Sequence, residues 1–173
     1  MANSIKVPRG HQVIDPLLQF GKTHLLIKVN TQFSLYIPSD HITSSSFSPL
    51  FANIPNQNRA KILVNTMMEK FGGDDKYLCA SFDPSDDRFN PKKYWRGPVW
   101  INMNWLLYNG LKNYGFLDVA ERIKKDTVEL ISRDGFFEYF DCRKDNGEPA
   151  RTGYGGNNFS WSAALLIDLL NTD

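Results

Sequence analysis

Glu138 stands between two aromatic pairs, Phe136-Phe137 and Tyr139-Phe140, directly after Gly135. A carboxylate in such company can act as a general acid or base, because its surroundings set which protonation state is stable. Pattern alone favours a plainer reading, an exposed Glu alternating with inward aromatics on a strand. A second cluster lies upstream, where Tyr94, Trp95, Arg96, Gly97, Pro98, Val99 and Trp100 run together. It reads either as a helix start whose outward N–H groups take hydroxyl or anionic oxygens, or as an aromatic plug over a buried helix.

All four Trp (95, 100, 105 and 161) lie in the second half, and aromatic residues make up 13% of the chain. Clustered Trp and Tyr suit a sugar-binding cleft, since pyranose C–H faces stack on aromatic rings, but a large core needs them equally.

Other chemistries find less support. His11, His24 and His41 all fall in the first quarter, far from Cys79 and Cys142, which have no CxxC spacing. Ser/His or Cys/His catalysis, a zinc site and a disulfide framework are disfavoured, and each Cys reads as a packed thiol. The segment GYGGNN at 153–158 lacks the lysine of a phosphate-binding loop and reads as a flexible cover or turn. No metal and no cofactor is expected.

With 20 basic and 19 acidic residues the formal charge is +1. No Lys/Arg block exceeds a pair, so a nucleic-acid partner is not expected. No apolar run approaches the roughly 20 residues of a membrane span, and the first twenty residues lack a signal peptide's apolar core. No membrane partner and a cytoplasmic location are the expectation. The length, 173 residues with 42% hydrophobic and 23% charged content, suits one ordinary domain.

The elements that must position these residues are mainly helical. Ala60, Leu63, Val64, Met67, Met68 and Phe71 form one apolar stripe, predicting a helix over 58–71 capped near Asn56 and stopped by Gly72-Gly73. A polar stretch from Asp74 to Lys93 reads as a long loop. From Pro98 to Asn113 the sequence is apolar on nearly every side, predicting a helix buried all round with Pro98 at its first position. The spacing over 117–132 predicts an outer helix with Ala120, Ile123, Thr127, Leu130 and Ile131 inward, joined by Tyr114-Gly115-Phe116 so tightly that the two pack antiparallel. Another nearly all-apolar helix is expected over 160–171, capped by Asn158 or Ser160. Residues 135–158 read as a short extended piece followed by a loop. HLLIKVN and FSLYIP suggest a short β-hairpin near the amino terminus, around Asn30-Thr31.

Three motifs in order carry a family resemblance. YWRGPVWINMNWLLYNGLKNYG at 94–115, GFFEYFD at 135–141 and NNFSWSAALLIDLL at 157–170 resemble the carboxy-terminal part of glycoside hydrolase family 63, which holds processing α-glucosidase I and bacterial mannosylglycerate hydrolases. SFSPLFANIPNQNRAKILV at 46–64 resembles that family's "FLPLFAGIP" segment and the helix after it. The similarity covers about 43–171, leaving 1–42 as a separate irregular or hairpin segment.

The resemblance implies an all-α fold, part of an (α/α)6 barrel, and hydrolysis of an α-glucoside or α-mannoside with inversion. It makes Glu138 the general base and places Tyr94, Trp95, Gly97 and Trp100 along a sugar subsite; Arg96 and Asn102 fall in the same segment, and Trp161 in the last motif. Cys142 stands where the family usually has Pro. The family's general acid sits upstream on a motif absent here. Asp83, Asp86 and Asp87 are in the wrong setting, and Asp141 is too near Glu138. Four helices are about a third of such a barrel, so the apolar helices at 98–113 and 160–171 are expected to expose surface. The partners this suggests are a small carbohydrate and either the missing barrel segment or a second copy. The alternatives are a non-catalytic carbohydrate-binding module and a purely structural all-α remnant.

Overall fold

A computed structural model describes residues 24–29, 33–38, 40–144 and 153–171, the first two of these as backbone. The expected Asn30-Thr31 turn, the first twenty residues and the charged loop before Gly153 lie outside the described residues.

The amino-terminal hairpin is present: β1 (His24–Val29) and β2 (Phe33–Pro38) pair antiparallel, with His24 opposite Pro38 and Val29 opposite Phe33. A 3-10 segment, Ser44–Leu50, follows and buries Phe47 and Leu50. The apolar stripe then becomes α1 (Gln57–Phe71), with Asn56 accepting the Arg59 N–H at 3.0 Å as its cap and Gly72 closing it.

The centre of the core is α2 (Ile101–Asn113), in which Ile101, Leu107 and Leu111 are fully buried. Each such side chain stabilises by about 1.5–3 kcal/mol relative to exposure. Packed against α2 is α3 (Leu117–Asp134), whose predicted inward face of Ala120, Ile123, Thr127, Leu130 and Ile131 is the buried one. The chain closes with β3 (Phe137–Phe140), β4 (Gly153–Asn157) and α4 (Ser160–Asn171).

Four expectations change. Pro98 is not the first residue of a helix: Val99 pairs with Ala80 on one side and Phe140 on the other, which keeps 98–100 extended until α2 starts at Ile101. The fold is mostly helical rather than all-α, because GYGGN is not a loose turn but β4, antiparallel to β3. Much of the polar stretch from Asp74 to Lys93 is core, since Tyr77 through Asp83 are all buried. Finally, the two apolar helices expected to expose surface differ: α4 does so, since among its residues Ser162 and Leu169 are buried while Trp161, Ile167 and Leu170 stay exposed. By contrast α2 is covered, as its side chains meet the 3-10 segment, α3 and α4.

The buried stretch at 77–83 needs polar partners, because backbone groups removed from water must be hydrogen-bonded. Asn104, fully buried on α2, supplies two of them: its Oδ1 accepts the Cys79 N–H at 3.1 Å and its Nδ2 donates to the Leu78 carbonyl at 3.0 Å. Asp126 on α3 accepts the Leu78 N–H at 2.8 Å. Val99 and Phe140 then exchange both backbone hydrogen bonds, at 2.7 and 2.9 Å. A ladder results, running from the pinned segment through Val99 to the strand that carries Glu138.

Candidate active site

Glu138 lies mid-strand on β3 and is half-buried, while Phe137 and Phe140 turn into the core. Its aromatic flanks are thus partly structural, as pattern alone suggested, but the carboxylate is not simply in solvent. Oε2 accepts the Gly156 backbone N–H at 3.2 Å, and the Tyr94 hydroxyl faces Oε1 at 3.5 Å.

Around that carboxylate the upstream cluster forms a stacked aromatic wall. Trp100 is 1% exposed and holds its place by donating from Nε1 to the Tyr94 carbonyl at 3.2 Å. Trp95 lies flat on it, with ring centroids 4.0 Å apart and planes 5° from parallel. Tyr94 meets Trp100 edge-on at 4.8 Å, Tyr139 lies against it at 5.0 Å, and Trp161 from α4 closes from another side at 6.2 Å. Offset or edge-on ring pairs of this kind stabilise by about 0.5–1.5 kcal/mol beyond their burial. Tyr94, Trp95 and Trp161 remain 49%, 40% and 39% exposed, so three rings of the wall keep surface free for a ligand.

Tyr94 has φ +35, in the left-handed region that a bulky side chain adopts only when surroundings impose it. Here it sits in the 3-10 turn Tyr94–Arg96, and the conformation aims its hydroxyl at Glu138. Burial, and then the neighbouring Glu138 and Tyr94, push the Tyr139 phenol above its ordinary value, so it stays protonated.

The remaining predicted residues sit behind or beside this wall. Arg96 donates from Nε and Nη2 to the Arg88 carbonyl, at 3.1 and 2.7 Å, and so holds the preceding loop. Gly97 is buried, and a Cβ there would stand 2.4 Å from the Asn90 carbonyl oxygen. Asn102 is half-buried, with its Oδ1 enclosed and without a hydrogen-bond partner among the described residues. Residues that sequence reasoning missed are Tyr139, Gly156 and Asn104. The two consecutive glycines of GYGGN were the signal for the second.

The aspartates singled out from the sequence are held by other groups. Arg88, by side-chain and then backbone hydrogen bonds, holds the Asp86 carboxyl far below the usual carboxylate range and hence ionised. Asp141, fully buried, accepts the Arg143 backbone N–H, Nε and Nη2. Asp83 accepts the Ser85 N–H and hydroxyl at 2.8 and 2.7 Å. Both cysteines are free, buried thiols; burial raises them, Cys142 to about 12. A separate groove of about 390 Å³, with Asp118, Glu121, Arg122 and Glu129 in its lining, shares no residue with this wall. Its charges serve the fold, as Arg122 holds the Lys76 carbonyl at 3.0 Å. No helix among the described residues is long and apolar enough to cross a membrane.

A half-buried carboxylate at the foot of a stacked Trp and Tyr wall, carried by a mostly helical fold, fits the glycoside hydrolase family that the sequence resembles. Comparison with known proteins agrees: residues 26–162 match the family model of the mannosylglycerate hydrolase MGH1-like glycoside hydrolase domain, and the chain belongs to that family. It is 46% identical over 125 residues to a mannosylglycerate hydrolase of Thermus thermophilus, covering 72% of this chain and 28% of the relative. A glucosylglycerate hydrolase of Mycolicibacterium hassiacum is 31% identical over 132 residues, with 74% and 28% covered. The crystal structure of family 63 mannosylglycerate hydrolase from Thermus thermophilus in complex with Tris and D-glycerate superposes with a TM-score of 0.70 at 41% identity, covering 81% of this chain and 33% of that one. The chain therefore spans about a third or less of the length of these relatives.

Proposed function

We propose that this chain is the base-carrying part of an inverting α-glycosidase with an (α/α)6 barrel, acting on a small mannosyl or glucosyl glycoside such as a glycosylglycerate. The observation that carries the reading is the Glu138 carboxylate at the foot of the aromatic wall, with Tyr94 and Gly156 on its two oxygens. In this mechanism Glu138 takes a proton from a water, whose oxygen bonds to the anomeric carbon from the face opposite the leaving group. A carboxylic acid about 6.5–9.5 Å across protonates the departing glycosidic oxygen. Tyr94, Trp95 and Trp161 take the sugar's C–H faces, and Gly97 and Arg96 hold the loop beside them; Trp100, 1% exposed, and the enclosed Asn102 Oδ1, both expected to line the subsite, lie behind that surface and support it instead of touching the sugar. Asp86, Asp141 and Asp83 are committed to Arg88, Arg143 and Ser85. The acid accordingly comes from polypeptide beyond the 43–173 segment, which we take as the catalytic portion.

A chimaera in which residues 43–171 replace the matching third of the Thermus thermophilus relative tests this. It is expected to hydrolyse mannosylglycerate or glucosylglycerate, and Glu138→Gln is expected to lower kcat by about 100- to 10,000-fold, the usual worth of a general base. Equal hydrolysis by the Gln variant refutes the assignment. The chain by itself is expected to show no turnover, and turnover by it alone would contradict an outside acid. Sugar binding that survives without hydrolysis in the chimaera would identify a non-catalytic carbohydrate-binding module instead.

A further inference from the structure

Phe137 lies opposite Asn157, and Tyr139 lies opposite Tyr154. Between those pairs a single residue on β3, Glu138, faces two on β4, Gly155 and Gly156. That count defines a β-bulge, and Gly155 has φ +74, the left-handed conformation that one bulge type places on glycine. Bulges re-aim side chains and interrupt regular pairing. This one falls at the carboxylate that the proposed mechanism uses.

Two atomic consequences follow. A Cβ on Gly155 would lie 2.5 Å from Glu138 Oε2, 2.8 Å from Glu138 Cβ and 2.8 Å from the Tyr139 ring, so any side chain there must displace Glu138 or the strand. The extra residue also turns the Gly156 N–H onto Oε2 at 3.2 Å instead of into the ladder. A hydrogen bond from an N–H to a carboxylate is about twice as strong as a neutral one and is directional.

We propose that Gly155 and Gly156 are positioning residues for the reaction: the two-glycine bulge of β4 clamps Oε2 of Glu138 and leaves Oε1, met among the described residues by the longer Tyr94 contact, as the atom that takes the proton from water. This rests on Glu138 being the base. The glycines touch neither sugar nor water and act through Glu138, which separates them from the aromatic wall.

Two readouts test the inference. In the full 173-residue chain, the Gly156 amide resonance followed by ¹⁵N-edited NMR should lie downfield through its bond to the carboxylate, and Glu138→Gln, whose neutral amide oxygen accepts more weakly, should move it upfield. A Gly156 amide unmoved by Glu138→Gln overturns the clamp whether or not the family's activity is present. In the chimaeric hydrolase, Gly155→Ala should lower kcat by about 100-fold, as expected for a reacting group misplaced by roughly 1 Å, with KM within about twofold. An unchanged kcat in a folded Gly155→Ala chimaera overturns the positioning role. Should that variant fail to fold, the NMR comparison decides alone. Hydrolysis insensitive to Glu138→Gln would instead sink the base assignment and leave the geometry of the bulge as measured.

Discussion

Replacing Asn104 by Ala should be strongly destabilising. Asn104 is fully buried and makes three hydrogen bonds: from Cys79 N–H, to the Leu78 carbonyl and to Thr127 Oγ1 at 2.9 Å. The Thr127 hydroxyl can turn to a carbonyl of its own helix, but among the described residues the carbonyl of 78 and the N–H of 79 have no second partner. Each buried group left unsatisfied costs about 1–3 kcal/mol, so the pair loses about 2–6 kcal/mol. That is a large share of the roughly 5–15 kcal/mol by which a domain is stable. With a urea slope of about 2 kcal/mol per molar, the unfolding midpoint read by tryptophan fluorescence should fall by about 1–3 M. The change should also loosen the ladder through Ala80 and Val99 to Phe140, and with it the strand of Glu138. A midpoint displaced by less than about 0.25 M, the range of an ordinary surface substitution, would refute the idea that Asn104 pins the buried segment.

Four further outcomes are expected. Because burial holds Cys142 protonated to about 12 against an ordinary 9.0, while the unfolded chain releases that proton from about 9, stability is complete below pH 9 and falls by about 1.4 kcal/mol per pH unit up to 12; equal denaturation midpoints at pH 8 and pH 10.5 would contradict this. Neither thiol should react with a thiol-specific reagent until the chain unfolds, which timed labelling in and out of urea measures. Gly97→Ala puts a Cβ 2.4 Å from the Asn90 oxygen and should displace the 88–96 loop, quenching or shifting Trp95 and Trp100 emission; a wild-type spectrum would show that the loop yields freely. Asp86, held below its ordinary value by Arg88, stabilises the same loop fully at neutral pH and loses that contribution as pH falls below about 4. Protease nicking of the loop should accordingly rise in acid for the wild type but stay flat for Asp86→Asn, and parallel profiles would remove Asp86 from the account.

Much of this was legible from local pattern. The stripe of α1 with its Asn56 cap, the two-sided α2, the one-sided α3 and the tight 114–116 connection follow from periodicity and end signals, which depend on neighbours a few residues apart. Glu138 and the Trp-rich segment stood out by composition, and their resemblance to a family gave them roles. The sequence alone did not disclose that Pro98-Val99-Trp100 is extended, because Val99 is claimed by partners nineteen residues before it and forty-one after it. Nor did it disclose that the Asp-rich stretch hides a core strip, since the polar groups that make such burial tolerable, Asn104 and Asp126, sit on two distant helices.

The amino-acid sequence by itself determined the helices, their buried faces and the residue types of the site, because a helix's hydrogen bonds close within its own turns. Only the tertiary structure decided what Glu138 meets. Its partners come from a 3-10 turn forty-four residues earlier and a strand eighteen residues later. The glycine pair that reads as a flexible cover is a bulge on that strand, a property that exists only once β3 is there to pair with it.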